Sequence, residues 1–581
     1  MTEHFLPVSR YEFIIQVWHN AANHCPIYKK GWNTMEKLRI SGNRRYFENA
    51  ADEPFVWLAD TVWTMPQRMR WDDVDLFMRE RKKQGFTVLQ ICALDPERDE
   101  GMHDPAGNPA LIDNDLSKPN EEYFRYLDYV LDTAERYGFY VLLLPVWGQL
   151  VVGSDWSGNT FEKTVTLDNA YGYGCFIGER YKDRTNILWC LGGDRQPVHA
   201  GVDYKDVWRR MAEGLAKGVT GKDLKWNLPD PAWEEICITY HTNYEMETGA
   251  CSTMCHWTDE EAWLSFIMLQ TGHSPGSRSW AWVRREYDRE NAVKTFRYSP
   301  DYQVDWDVPV TGPQRRMPVW DGEPYYERGL EDCALTRHRA YWDMLAGSFG
   351  FTYGNWSVWS SVYQKDRMAG LMANTWYEAL SSVGSGQMKH LRAFMENFRI
   401  MTAAPCQEVL GAMADGGAAP EPDHILFSNR RDIPINHMQA AVSADGKRVF
   451  VYFPHSGSAE LDISAILSES ETSAESIERS VYLWWYDPRS GRFTGKEAPA
   501  SGIWKPVSDE TPVCDCVPVR DGKISVMTPA GNPRASVSNP LDTDCVLVIS
   551  AEPCDVPFTE PESYWTPDET GAGEKKKTVF F

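Results

Sequence analysis

The sequence predicts an α/β protein: a (β/α)8 TIM barrel followed by a small antiparallel β-sandwich. Three observations carry that expectation. Between about residues 37 and 405, short apolar runs alternate with amphipathic stretches of helical period, the pattern of repeated βα units. Eight of these runs are apolar on both faces, as strands of a closed parallel sheet must be when helices cover the outside and side chains fill the inside. Beyond about residue 410 the helical stretches stop, and short alternating strands separated by Asp, Gly, Pro and Ser turns take their place.

The first barrel strand is FVWLADTVW (55–63). The helix after it, WDDVDLFMRERKKQGF, has Asp72 and Asp73 in its first turn, Lys82 and Lys83 in its last and Gly85 at its stop. Those charges complement the helix dipole at both ends, and glycine accepts the left-handed conformation at the stop. TVLQICAL (87–94) is the second strand. A loop rich in Asp, Gly, Asn and Pro leads to a helix opening at Asn120, in which Phe124, Leu127, Leu131 and Ala134 recur at three- and four-residue steps until Gly138. YVLLLPVWG (140–148), NILWCLGGD (186–194), ICITYHTN (236–243), FIMLQTGH (266–273), MPVWDGE (317–323) and GFTYGNW (350–356) supply strands three to eight. A doubly wound open sheet would carry a glycine-rich phosphate turn after its first strand, and LADTVWTMP has none.

LGAMADGGAAPEPDH reads as a joint between domains. After it, MQAAVSA, RVFVYFP, VYLWWYD and CVLVIS are strands, with turns at SADGK, DPRSGR and RDGK. The expected organisation is an N-terminal extension (1–36) with one strand at YEFIIQVW, the barrel (37–408), the sandwich (424–556) and a charged, extended tail (557–581). Trp484 and Trp485 read as a strand pair with one ring in the sandwich core, a surface sugar platform being the alternative.

Composition narrows the function. With 83 acidic against 59 basic residues and a net charge of −24, a nucleic-acid or anionic-membrane surface is excluded, because phosphate binding is driven by Lys and Arg. No apolar run approaches the ~20 residues of a spanning helix. The start, MTEHFLPVSRYEF, lacks a basic-then-apolar leader pattern, and 13 scattered cysteines suit reduced thiols, so a cytoplasmic location is expected. Cys251, Cys255 and His256, like Cys514 and Cys516, lack a second pair at zinc-site spacing. The sequence carries no signal for an oligomeric state. Of 25 tryptophans, 19 fall between Trp57 and Trp376, which suggests a large aromatic core, a sugar-binding cleft, or both.

In such a barrel the active site lies at the C-terminal ends of the strands. Those ends offer Asp60 and Trp63, Trp147, Asp194, Tyr240 and His241, Gln270 and His273, Glu323, and finally Tyr353, Asn355 and Trp356. No lysine stands ready for a Schiff base and no serine sits in a nucleophile elbow. Aromatic faces and polar groups suit a neutral polyol, so Asp60, Trp63, Trp147, His241, Gln270, His273, Tyr353 and Trp356 are the candidate substrate-binding residues. Asp194 and Glu323 are the candidate catalytic pair, because glycoside cleavage needs one carboxyl to protonate the leaving oxygen and another to attack or to activate water. The plainer readings are a cap or an Arg195 ion pair for Asp194, and a turn carboxylate for Glu323. Without a His-Glu-x-x-His or similar motif, neither a metal nor another cofactor is expected.

ADEPFVWLADTVW, QGFTVLQ, KPNEEYFRYLDYVLDTAERYGFYVLLLPVWG, NILWCLGGDR, MLQTGH, VWDGEPYYE and FTYGNWSVW, in that order, resemble the apiosidase-like proteins of glycoside hydrolase family 140. The resemblance runs from roughly residue 37 to 400, and the C-terminal part resembles the collagen-binding-type β-sandwich that commonly follows such barrels. It implies a (β/α)8 glycosidase with Asp194 as general acid/base and Glu323 as nucleophile, releasing β-linked apiose from pectic side chains. The stretch 274–316 is long for that family and brings Trp, Tyr and Arg beside the cleft, and a leaderless chain suits trimming of imported oligosaccharides. The expected partner is thus an oligosaccharide or glycoside. A glycosidase of different sugar specificity, a non-catalytic carbohydrate-binding barrel, and a metal-assisted hydrolase using Asp60, His241 and His273 remain the rival readings.

Overall fold

A computed structural model of the chain describes residues 35–96, 102–155, 158–160, 162–245, 249–298, 304–329, 333–364, 374–410, 436–462, 478–493, 523–527 and 534–550. The expected strand at 11–18, the joint after Leu410, Cys514 and Cys516, and the tail 557–581 lie outside these residues.

Eight parallel strands form the barrel: β1 (Trp57–Thr61), β2 (Val88–Cys92), β3 (Tyr140–Leu144), β4 (Ile187–Gly192), β5 (Ile238–His241), β6 (Ile267–Leu269), β7 (Val319–Asp321) and β8 (Gly350–Tyr353). Their spatial order is β6-β7-β8-β1-β2-β3-β4-β5, and a parallel bridge from Ile238 to Leu264, just ahead of β6, brings the two ends of the sheet together. Each strand lies within the run that hydrophobicity marked out.

Alternation along the strands decides which side chains reach which side. Leu58, Leu89, Ile91, Leu143, Trp189, Leu191, Tyr240, Leu269 and Phe351 face outward into one continuous apolar core shared with the helices. The inward set closes the barrel's N-terminal end with aromatics: Trp57, Phe266, Trp320 and Phe349, capped by Phe47, with neighbouring ring centroids 5.1–5.6 Å apart. Trp57 and Trp189 are therefore packing residues.

The first two long helices form as the sequence dictates. α1 (Trp71–Lys83) opens with Asp72 and Asp73 and closes with Arg81, Lys82 and Lys83, and Gly85 follows at φ +89°. α2 (Glu121–Arg136) is capped by the Asn120 side chain, which accepts from Glu122 N–H at 3.2 Å and satisfies an otherwise open donor of the first turn.

The C-terminal sheet runs β9 (Gln439–Val442), β10 (Arg448–Phe453), β13 (Cys545–Ser550) and β11 (Glu478–Asp487), all antiparallel, with Lys523–Met527 also paired to β11. One face, bearing Phe450, Tyr452, Trp484 and Tyr486, joins the barrel's core; the other, bearing Val449, Val451 and Trp485, packs under a two-stranded antiparallel sheet of Ser458–Asp462 and β12 (Arg534–Ser538). Trp484 and Trp485 are 5% and 3% exposed and point to opposite faces, so neither offers a surface platform for sugar.

The barrel helix that receives this sheet is α6 (Ala334–Leu345), which follows β7 and is therefore buried almost all round. Arg337 makes a two-pronged pair with Asp544 at 2.9 and 2.8 Å, and Tyr341 stacks on Tyr452. Trp342 Nε1 donates to the carbonyl of His437 at 2.9 Å. In the long stretch before β7, Trp280 and Trp282 lie on α5 (Ser279–Tyr287), are buried, and Trp280 stacks on His437 at 3.8 Å. The expectation that these tryptophans line the cleft is corrected, because α5 needs an apolar face to pack on α6. No helix among the described residues is long and apolar enough to cross a membrane, and the nine described cysteines are free thiols.

Candidate active site

Asp194 leaves the sheet through a turn that only this sequence permits. Gly192, Gly193 and Asp194 have φ of +88°, +103° and +52°, three successive residues in the left-handed half of conformational space. A Cβ on Gly192 would sit 2.2 Å from the carbonyl oxygen of His241, and one on Gly193 would sit 2.8 Å from Gly148 N. The glycines thus admit the neighbouring backbone, and aspartate is among the few other residues that tolerate such a φ. The turn carries the carboxyl over the barrel mouth, where Gln270 Nε2 donates to Oδ1 at 2.9 Å and Arg195 Nη1 to Oδ2 at 3.0 Å. The ion pair expected as the plainer reading is present, in a side chain that is still 20% exposed. Burial raises the Asp194 pKa, Arg195 opposes, and the charge of Glu323 raises it further.

Glu323 is held from two sides. His241 Nε2 lies 3.0 Å from Oε2 and His273 Nε2 lies 3.2 Å from Oε1. Burial alone would raise this carboxyl; the two imidazoles overcome it and hold the pKa down at about 2. His241 is fully buried, stacked on Trp63 at 5.3 Å and edge-on to Trp147 at 5.6 Å. Trp63 and Trp147, 1% and 3% exposed, therefore wall in the imidazole instead of offering open faces, whereas Trp356 is only half-buried. His273 packs on Tyr326 and Trp356, at 4.1 and 5.0 Å.

Six of the eight proposed substrate residues (Trp63, Trp147, His241, Gln270, His273 and Trp356) thus surround the two carboxyls. Asp60 and Tyr353 do not. They are register partners on β1 and β8, and both point outward, to the helix side of the sheet. Asp60 lies 2.6 Å from Arg81 Nε with neither side chain exposed, and Tyr353 donates to Glu327 Oε2 at 2.6 Å. Tyr240 is likewise outward, its hydroxyl on the carbonyl of Arg195 at 2.9 Å. Asn355 is buried against Tyr353 and Ser382. The metal-assisted alternative needed Asp60 beside His241 and His273, and that set is not assembled.

Three contributors escaped the sequence reading. Asp321 accepts from the backbone N–H of Thr271 and of Glu323 at 3.3 and 3.4 Å, and from the Thr271 hydroxyl, tying the ends of β6 and β7 together from behind. Tyr326 is buried beside Glu323 and lies where a Cβ on Gly354 would strike its ring at 2.1 Å; burial, then Glu323, pushes its phenol far up. The glycine of YGNW was the available signal for that close approach. Arg328 stands 5.8 Å over the Trp356 ring, its Nε buried and unbonded, with no carboxylate partner among the described residues.

The apiosidase-like catalytic domain family matches residues 41–402, the whole barrel and all of these side chains. The chain belongs to that family. It is a glycosidase, and the carbohydrate class of its substrate follows. A solved glycoside hydrolase is similar at 22% identity and a TM-score of 0.61, over 89% of this chain and 97% of that one. A family 5 glycoside hydrolase from Bacteroides vulgatus ATCC 8482 is similar at 21% identity and a TM-score of 0.61, over 89% and 94%. These likenesses show the fold. Comparison with curated protein sequences finds no match.

Proposed function

We propose that this apiosidase-like glycosidase releases a terminal sugar, a furanoside of the apiose kind, from short pectic oligosaccharides by double displacement. The observation that carries the proposal is the opposite displacement of two facing carboxyls: Asp194 pushed up towards its protonated form, Glu323 held down at about 2. That is the division of labour glycoside cleavage requires. Glu323 attacks the anomeric carbon as the glycosidic C–O bond breaks, and Asp194 gives its proton to the departing oxygen. Water then attacks the glycosyl ester, Asp194 takes a proton from it, and Glu323 leaves as carboxylate. Gln270 steadies Asp194, while His241 and His273 keep Glu323 ionised.

Arg328 supports an acidic substrate: a guanidinium with no carboxylate partner among the described residues, standing over the half-buried Trp356, suits a sugar carboxylate beside an aromatic face. A hydrolysis screen across apiosides, arabinofuranosides and pectic fragments, with Glu323→Gln as control, tests the reading. Release of an apiose-type furanose by wild type and not by the variant is expected, with the product first appearing in the substrate's own anomeric configuration. Product of inverted configuration would overturn the nucleophilic role of Glu323. On uronide substrates Arg328→Gln should lower kcat/KM by about tenfold, with little change on the methyl-esterified forms.

A further inference from the structure

Four consecutive residues beyond β6 fasten both sides of the mouth. Gln270 Nε2 donates to Asp194 Oδ1 at 2.9 Å, and Thr271 donates to Asp321 through its backbone N–H and its hydroxyl. Gly272 N–H donates to the carbonyl of Glu323 at 3.2 Å, and His273 Nδ1 lies 2.9 Å from the carbonyl of Pro324. This segment is neither helix nor strand, so its place depends on the turn that follows it. That turn, 274–277, closes with Ser277 N–H on the carbonyl of Ser274 at 3.1 Å. All four of its carbonyls accept from guanidinium groups. Arg339 Nη2 donates to those of Ser274 and Pro275 at 3.0 Å each and Nη1 to that of Ser277, while Arg278 Nη1 serves Gly276 at 3.2 Å.

Arg339 is fully buried on α6. Burial pushes its pKa down to about 10 against the charges of Asp343, one turn along the helix, and Asp321. Among side chains, the planar guanidinium has the donors to hold three carbonyls at once. Two residues earlier, Arg337 makes its two-pronged pair with Asp544, just ahead of β13. Residues two apart stand about 200° round a helix, so the two arginines fasten opposite sides of α6. We infer that Arg339 is a positioning residue: on a helix that the C-terminal sheet holds from behind, it fixes the turn after β6 and, through segment 270–273, the placement of Asp194 and Glu323. The inference rests on the proposed roles of those two carboxyls. The C-terminal sheet thereby serves the chemistry through a helix.

Two variants test it. Arg339→Lys keeps the charge and gives up the fork, and Asp544→Asn loosens the far side of α6 while keeping its shape. In amide hydrogen exchange, which needs no substrate, peptides spanning 270–277 should exchange about tenfold faster or more in Arg339→Lys, with those of β1 to β3 unchanged. Asp544→Asn should act in the same sense and less strongly. The second measurement is kcat per folded molecule on aryl glycosides graded in leaving group. Arg339→Lys should lower kcat about tenfold on the poorest leaving group and less on the best, because Asp194 is needed most where the departing oxygen must be protonated. In a Gln270→Ala background, Arg339→Lys should add nothing to that dependence, since its link to Asp194 is already cut. Wild-type exchange at 270–277 in Arg339→Lys would overturn the inference, and so would an unchanged leaving-group dependence where Asp194→Asn steepens it. An Asp544→Asn enzyme that loses stability alone would overturn the part given to the sheet. Faster exchange in an enzyme whose Asp194→Asn form keeps the wild-type dependence would uphold Arg339 and sink the acid role of Asp194 instead.

Discussion

Two aspartates stand at the mouth ends of barrel strands, each beside an arginine. Asp60 lies 2.6 Å from Arg81 with both side chains fully buried, and Asp194 lies 3.0 Å from Arg195 with 20% of its side chain exposed. Asp60 is still inside its strand, in register with Tyr353, and alternation sends it outward with Leu58. Asp194 comes two residues after Gly192 closes the strand proper, on a left-handed turn that frees it from alternation. The same carboxyl and the same kind of neighbour yield a buried fastening in one place and, in the proposed mechanism, the acid/base in the other. A strand end is a necessary address for chemistry in this fold, and the backbone conformation at that residue decides which way the side chain faces.

The largest test of that contrast is catalytic. Glu323→Gln and Asp194→Asn should each lower kcat by about 10³-fold or more in steady-state assays, with unfolding curves close to wild type. Asparagine is chosen at 194 because it also tolerates a positive φ. Asp60→Asn in the same assay should keep its turnover per folded molecule; a loss on the scale of Asp194→Asn would mean that Asp60 reaches the substrate after all. Stability should respond in the opposite order. Asp60→Ala leaves the Arg81 guanidinium buried without its partner, which costs about 3–5 kcal/mol in denaturant unfolding.

The pH dependence of the two acids separates them further. Burial raises Asp60 from 3.8 to about 6 despite Arg81. A folded pKa above the unfolded one means stability that is complete below about 4 and lost as pH rises through about 6. Asp60→Asn should therefore flatten the wild-type decline over that window. Glu323 has the other sign: its folded pKa of about 2 lies below the unfolded 4.5, so its contribution holds above 4.5 and fades as pH falls towards 2. The acid limb of kcat/KM set by Glu323 should accordingly fall well below the ordinary carboxylate range, and a limb near 4.5 would show that the two imidazoles do not hold it.

The strands were legible because a parallel barrel demands apolar runs on both faces, and those runs needed no tertiary information. Asp194 and Glu323 were legible because glycines precede both carboxyls within turns that break alternation. The failures have separate causes. Asp60 and Tyr353 were assigned to the mouth by position alone, although period-two alternation from Leu58 and Phe351 already turned them outward. Trp280 and Trp282 were placed beside the cleft because sequence does not reveal that α6 has a second layer of sheet behind it, which claims the surrounding apolar surface. Asp321 was overlooked because its partners are backbone N–H groups on another strand, and such acceptors leave no mark in composition.

The smallest effect is the one most sensitive to this alternation argument. Tyr353 ends β8 next to the mouth, yet its hydroxyl bonds Glu327 Oε2 at 2.6 Å on the helix side, and Arg81 lies 5.5 Å from its ring. Glu327 also accepts from Gly384 N–H at 3.0 Å, so removing the phenol leaves the carboxylate partly served. Tyr353→Phe should then cost about 1–2 kcal/mol in unfolding and leave kcat and KM where they were. The same substitution at Tyr326, buried beside Glu323 on the inner side, should change kcat with a smaller loss of stability. If Tyr353→Phe raised KM, the inward and outward faces of β8 would have been exchanged, and Asp60, the register partner of Tyr353, would have to be restored to the cleft.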